Sequence, residues 1–197
     1  MDDSMRNRID TYVILHRLSS LKRTGWVDYG VDDPETVMCH MYDAWLLGRI
    51  FLPETHVDKG YNRDRILSML LIHDLAEAVT GDIITPVKEG NPTYDVEEDE
   101  VMTSILASIC PDGSLDAVWR EWSDGETFNA HVAKDLDVMQ SVVQFCLYRP
   151  DNESLRDEGV TANWLGKRAR LKTDLVRGIF DSMVPHLFSG PVTGDTD

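Results

Sequence analysis

NRDRILSMLLIHDLAEAVTGD, residues 62–82, is the stretch that decides the fold. Ile66, Met69, Leu70 and His73 recur at the spacing that lines side chains along one α-helical face. The segment predicts a helix from Asn62 to about Val79, ended at Gly81-Asp82. Its apolar run, Leu67 to Ile72, leads directly into His73-Asp74. An aspartate inside an apolar helix is costly unless something pairs with it, and a metal ion is a good partner. By itself the dipeptide also reads as a helix-face histidine beside a solvated aspartate.

Outward from this stretch, helical periodicity continues in both directions. Ile9, Val13, Leu18 and Leu21 predict a first helix ending before Arg23-Thr24-Gly25-Trp26, with a loop through Asp32-Asp33-Pro34. Pro34 suits a helix start, with Glu35 in its positive first turn, and Pro53 stops that helix. It carries Val37, His40, Met41, Ala44, Trp45 and Leu47. Thr85-Pro86-Val87-Lys88 reads as a loop. A polar helix is expected from near Val96, a short one over Leu115 to Trp122 and a long one over Thr127 to Tyr148. In the long helix Ala133, Asp137, Gln140 and Gln144 share a stripe, beside the apolar stripe of Leu136, Met139 and Val143. A last helix is expected over about 162–184. There is no convincing strand, so the expected class is an all-α helical bundle. The expected organisation is one domain over 1–190, its core at about 15–150, with a flexible tail at 191–197.

Composition narrows the functions. The 197 residues carry a formal net charge of -16, which disfavours nucleic acid and anionic membranes as partners. A phosphate ester would be repelled at long range, so its site needs a bound cation with local arginine or lysine. Cys39, Cys110 and Cys146 form no CxxC pair and read as free thiols of a reducing, cytoplasmic compartment. No apolar run has the length of a membrane span, and the charged N-terminus does not read as a secretory signal.

His40, His73, Asp74 and Asp137 are together a set that can hold one divalent cation and leave positions open for water and a phosphate oxygen. Singly, each has a plainer reading: His40 as a core histidine bonded to a carbonyl, Asp137, like Asp135, as a surface charge. Glu77 is placed to orient or deprotonate an attacking water, or is an exposed helical glutamate. Asp82 is a turn aspartate or a group that holds a sugar hydroxyl and aids proton transfer. Arg23 and Lys88 are candidates to neutralise a phosphate, Arg23 by a bidentate fork. Trp26 is either a wall for a sugar or base or a core aromatic.

The order His40, His73-Asp74, Asp137 resembles the signature of the HD-domain metal phosphohydrolases, and more closely their 5'-deoxynucleotidases of the bacterial YfbR and eukaryotic HD-domain types. The matching stretches are LKRTGWV at 21–27, PETVMCHMY at 34–42 and LIHDLAEAVTGDIITPVK at 71–88. EED at 97–99 and AKDLDVMQSVVQ at 133–144 complete the set. The resemblance implies an all-α HD domain, a homodimer, and hydrolysis of (deoxy)nucleoside 5'-monophosphates with a divalent ion such as cobalt, manganese, magnesium or another transition metal. It implies His40, His73, Asp74 and Asp137 as metal ligands, Glu77 and Asp82 as acidic residues needed for catalysis, and Arg23 and Trp26 as phosphate and sugar contacts. Met38-Cys39 departs from the family pattern, and the segment after Pro150 has no clear counterpart.

The expected chemistry is direct hydrolysis by a water whose pKa the metal lowers, with Glu77 as base. A triphosphohydrolase or a phosphatase of nucleotide analogues on the same fold is the nearest alternative. An inactive regulatory HD protein is another, although such a protein usually loses ligands that are all present here. Only His131 lies between Asp74 and Asp137, which argues for one metal rather than two.

Overall fold

The computed structural model describes residues 2–58, 60–84 and 93–189, and among them the architecture is the expected all-α bundle. The helices are α1 (Asp3–Leu15), α2 (Thr24–Asp28), α3 (Val37–Phe51), α4 (Arg63–Ile72), α5 (Glu77–Thr80), α6 (Tyr94–Ile109), α7 (Ser114–Asp124), α8 (Phe128–Tyr148), α9 (Glu158–Gly166) and α10 (Asp174–Ser189). Several begin with a side chain that satisfies an orphan amide of the first turn. Thr36 caps α3 through the Cys39 amide, Asn62 caps α4 through Arg65, and Thr127 caps α8 through Ala130.

Helices α3, α4 and α8 pack on one another at the centre, and α10 lies along α8. Met41, Ala44, Ile66, Met69, Leu70, Leu136, Met139 and Phe145 fill the space between them. Gly48 lets the three central helices approach. A Cβ there would stand 3.0 Å from Leu67, 3.2 Å from Leu70 and 3.3 Å from Leu136.

The structure corrects several expectations. Ile9 and Val13 are exposed, because α1 packs against α6 by its other side, with Thr11 buried on Ser108. The segment after Arg23 is the short helix α2 rather than a loop. Helix α3 starts at Val37, so Glu35 precedes it. The expected helix to Val79 does not run through: α4 ends at Ile72. Over the next residues amides reach three positions back instead of four, as Glu77 N does to the Asp74 carbonyl at 3.1 Å. At that tighter winding, residues three apart eclipse.

The C-terminal helix expected over about 162–184 is two helices. Helix α9 ends at Gly166, a 3-10 turn covers Lys167–Arg170, and α10 starts at Asp174. Asp135 makes the break. Its carboxylate accepts from the amides of Lys172 at 2.8 Å and Thr173 at 2.7 Å, and from the Thr173 hydroxyl. The apolar core continues past residue 150 through Leu155, Trp164, Leu171, Val176, Phe180 and Val184. Lys88 and the tail at 191–197 lie outside the described residues.

Candidate active site

Three helices or helix ends deliver the four candidate ligands to one point. His40 comes from the middle of α3, His73 and Asp74 from the end of α4, and Asp137 from α8. The two Nε2 atoms stand 3.3 Å apart. Asp74 Oδ2 lies 3.2 Å from His73 Nε2 and 3.7 Å from His40 Nε2. Asp137 Oδ1 lies 2.9 Å from His40 Nε2 and 3.7 Å from His73 Nε2. For donors about 2.1 Å from one ion, adjacent donors stand roughly 3.0–3.4 Å apart, depending on geometry. The measured separations bracket that range.

The ring orientations fit a cation as well. His40 Nδ1 lies 2.6 Å from Gln140 Oε1, an acceptor, so Nδ1 carries the proton. His73 Nδ1 donates to the Leu70 carbonyl at 3.0 Å. Both Nε2 atoms are thereby left to face the same point, next to two carboxylates. Among the described residues no comparable cluster includes His131.

The electrostatics also favour a cation. Burial works to raise the Asp74 carboxyl, but His73, Arg23 and His40 outweigh it and hold it well below the usual carboxylate range. Burial likewise opposes charge on His73, but Asp74 and Asp137 outweigh it and raise the imidazole above its usual value. The pocket thus attracts positive charge where the two Nε2 atoms converge.

Around this point the sequence-predicted residues that the structure describes assemble. Arg23 Nη1 lies 3.1 Å from Asp74, 3.0 Å from Asp82 and 3.9 Å from Glu77. Burial disfavours the Arg23 charge, yet these carboxylates prevail and raise its pKa. The stretch Leu21–Arg23 is fixed by antiparallel pairing with Glu35–Val37, including Arg23 N to the Glu35 carbonyl at 3.0 Å. Asp82 also accepts from the Thr24 amide at the start of α2, and the Thr24 hydroxyl donates to the Asp82 carbonyl. Gly81, at φ +80, turns the chain so that this contact closes. Glu77 is 2 % exposed and falls in line with Asp74, both lining the cavity, rather than with His73, which packs on Trp122.

Trp26 is both things the sequence allowed, a core aromatic and a cavity wall. Its Nε1 donates to Glu35 at 2.9 Å, and Gln140 Nε2 donates to the other oxygen of Glu35 at 2.8 Å. The chain of bonds therefore runs from Trp26 through Glu35 and Gln140 to His40. Glu35 was not legible as a site residue; its nearness to the buried His40 was the available signal. Trp164 and Lys167, from the segment after Pro150, join the wall of a cavity of about 680 Å³. Neither residue stood out in the sequence, where both fall in the expected last helix.

The comparison that decides the family is the match of residues 15–174 to the HD domain model. The chain belongs to the HD domain family. This HD domain is 29 % identical over 160 residues to 5'-deoxynucleotidase HDDC2 of Dictyostelium discoideum, covering 78 % of this chain and 84 % of that protein. It is 29 % identical to 5'-deoxynucleotidase hdd1 of Schizosaccharomyces pombe over 83 % of this chain and 82 % of that one. A conserved hypothetical protein from Pyrococcus furiosus shares the HD-domain fold at a TM-score of 0.69 and 22 % identity, over 88 % of this chain and 97 % of that chain.

Proposed function

We propose that this HD domain is a metal-dependent 5'-nucleotidase, which hydrolyses (deoxy)nucleoside 5'-monophosphates to nucleoside and phosphate. The observation that carries the proposal is the convergence of two Nε2 atoms, 3.3 Å apart, with the carboxylates of Asp74 and Asp137. The 5'-deoxynucleotidases among its relatives support the substrate class.

In this reading His40, His73, Asp74 and Asp137 hold one divalent cation. A bound cation supplies Lewis acidity to the phosphoryl group and lowers the pKa of water. Two imidazoles beside two carboxylates suit cobalt, manganese or another transition metal better than magnesium, which prefers oxygen alone. Glu77 accepts the proton of the attacking water. Arg23 binds the phosphate oxygens, and Asp82 fixes the guanidinium that does so. Trp26 walls the side of the cavity where the nucleoside lies. The three free cysteines support a reducing, cytoplasmic setting, and the family resemblance supports a homodimer. Among the described residues no helix is long and apolar enough to cross a membrane.

The test is a phosphate-release screen over ribo- and deoxynucleoside mono- and triphosphates with cobalt, manganese and magnesium. Release from deoxynucleoside monophosphates is the expected result. No release from any nucleoside monophosphate with any metal overturns the proposal.

A further inference from the structure

Asp74, Glu77, Asp82 and Asp137 line the cavity that would receive a phosphate monoester, itself close to doubly negative at neutral pH. The chain as a whole, at -16, offers no long-range help. Phosphate binding there gains from a cation held in the cavity wall.

Lys167 lines the cavity together with Arg23, Asp74, Glu77 and Asp137. Its Nζ sits 3.4 Å from the centre of the Trp164 ring, which stacks on Trp26 at 4.7 Å. Among the described residues no carboxylate pairs with it. Arg170 also lines the cavity, while Arg168 pairs with Asp181 and Arg177 with Asp174. Lys167 is placed by the break between α9 and α10, which Asp135 pins from α8, two residues before Asp137. One helix therefore fixes both a candidate metal ligand and the segment bearing this lysine.

We propose that Lys167 is the second cation of the phosphate subsite, acting with Arg23 on the phosphate of a nucleotide or on inorganic phosphate. The proposal rests on the nucleotidase reading for its substrate class. The Trp164 face holds the ammonium by a cation–π contact without neutralising it, which leaves the N–H donors turned away from the ring for phosphate oxygens. Burial, Arg170 and Arg23 lower its pKa to about 8 against the pull of Asp137, as expected of an ammonium short of negative partners.

The experiment compares the wild-type chain with Lys167→Met and Lys167→Arg, each loaded with manganese. Methionine keeps an apolar stem over the Trp164 ring and removes only the charge. Two quantities are read: the affinity for inorganic phosphate by titration calorimetry, and KM and kcat for a deoxynucleoside monophosphate. Loss of one charge-assisted contact predicts phosphate affinity and KM each weakened roughly 10- to 100-fold in Lys167→Met. The metal content stays equal, kcat changes little, and Lys167→Arg recovers most of the loss. Unchanged phosphate affinity and KM in metal-loaded Lys167→Met overturn the proposal.

A second measurement needs no variant. Phosphate should slow acetylation of Lys167 in the wild-type protein, read by mass spectrometry of its peptide. Equal acetylation with and without phosphate, at concentrations that saturate binding, also overturns it. If Lys167-dependent phosphate binding is found but no nucleotide is hydrolysed, the nucleotidase reading fails and the subsite stands.

Discussion

His40 and His73 point their Nε2 atoms at each other across 3.3 Å, each with its Nδ1 proton already engaged, by Gln140 and by the Leu70 carbonyl. Two nitrogens so close, beside two carboxylates, favour a cation between them. A metal that binds there binds the folded chain alone, so metal should stabilise it. Purified protein is expected to hold one divalent ion per chain, and EDTA to lower its Tm. His73→Ala should lose the metal and the metal-dependent part of Tm. Equal metal content in wild type and His73→Ala, by elemental analysis, would refute the ligand set.

The bonds from Trp26 through Glu35 and Gln140 to His40 predict an effect away from the ligands. Glu35 receives two donors, and Gln140 fixes the His40 tautomer. Replacing Gln140 with leucine leaves the buried His40 Nδ1–H without its acceptor and frees the ring to turn. Loss of such an outer partner costs about 10- to 100-fold in metal affinity. Competition with a chelating dye measures it. Unaltered affinity in a folded Gln140→Leu protein would show that the tautomer is set elsewhere.

Asp135 and Asp137, two residues apart on α8, should separate stability from metal binding. Asp135 is 3 % exposed and accepts from the amides of Lys172 and Thr173 and from the Thr173 hydroxyl. Asp135→Ala should cost about 3 kcal/mol, since it removes a cap and strands buried donors. For a chain of this length that is a Tm fall of roughly 10 °C. Its metal stoichiometry should be retained at low temperature. Asp137→Asn should do the reverse, with weakened metal binding and an apo-protein Tm close to that of wild type. The same loss of metal in both variants would contradict this division.

These pairs also mark where the sequence was readable. The His73-Asp74 step was legible from the apolar helical run that leads into it together with the family resemblance, and Asp137 from its KDLD match and the stripe it shares with Ala133 and Gln140. The bundle was legible because amphipathic period is a local property. The break at Lys167–Thr173 was not, because it depends on Asp135, about 37 residues away, offering its carboxylate to those amides. The tightening after Ile72 was hidden for a similar reason: nothing local forbids a regular helix there. Ile9 and Val13 have helical spacing, but spacing alone does not say which face meets α6.

Gly48 tests whether the close packing of helices positions the ligands. An alanine there gains up to about 1 kcal/mol in helix propensity. Its Cβ would meet Leu67, Leu70 and Leu136 at 3.0–3.3 Å, so three leucine ends must shift at once. Overpacking of this kind costs about 1–3 kcal/mol, which outweighs the propensity gain. Gly48→Ala should therefore lower Tm modestly. It should also weaken metal binding, because His40, His73 and Asp137 come from the three helices being pushed apart. A variant more stable than wild type, with equal metal affinity, would show that the leucines give way freely.

The last prediction concerns pH. Burial, Arg170 and Arg23 bring the Lys167 ammonium from 10.5 down to about 8, against the pull of Asp137, while the Trp164 ring covers it. The charged form is the one that binds phosphate, and it is present below that value and lost above it. Substrate KM should thus rise as pH climbs through 8, in a direction set by the lysine and not by the phosphate, whose second proton leaves near pH 6. Arginine stays charged throughout this range, so Lys167→Arg should abolish the rise. Both enzymes share Arg23, the metal ligands and Glu77, so titration of those groups appears equally in the two profiles and cancels in their ratio. The ratio of the two KM values, measured from about pH 7 to about pH 9, isolates Lys167. A flat ratio would place the ammonium outside the phosphate's reach.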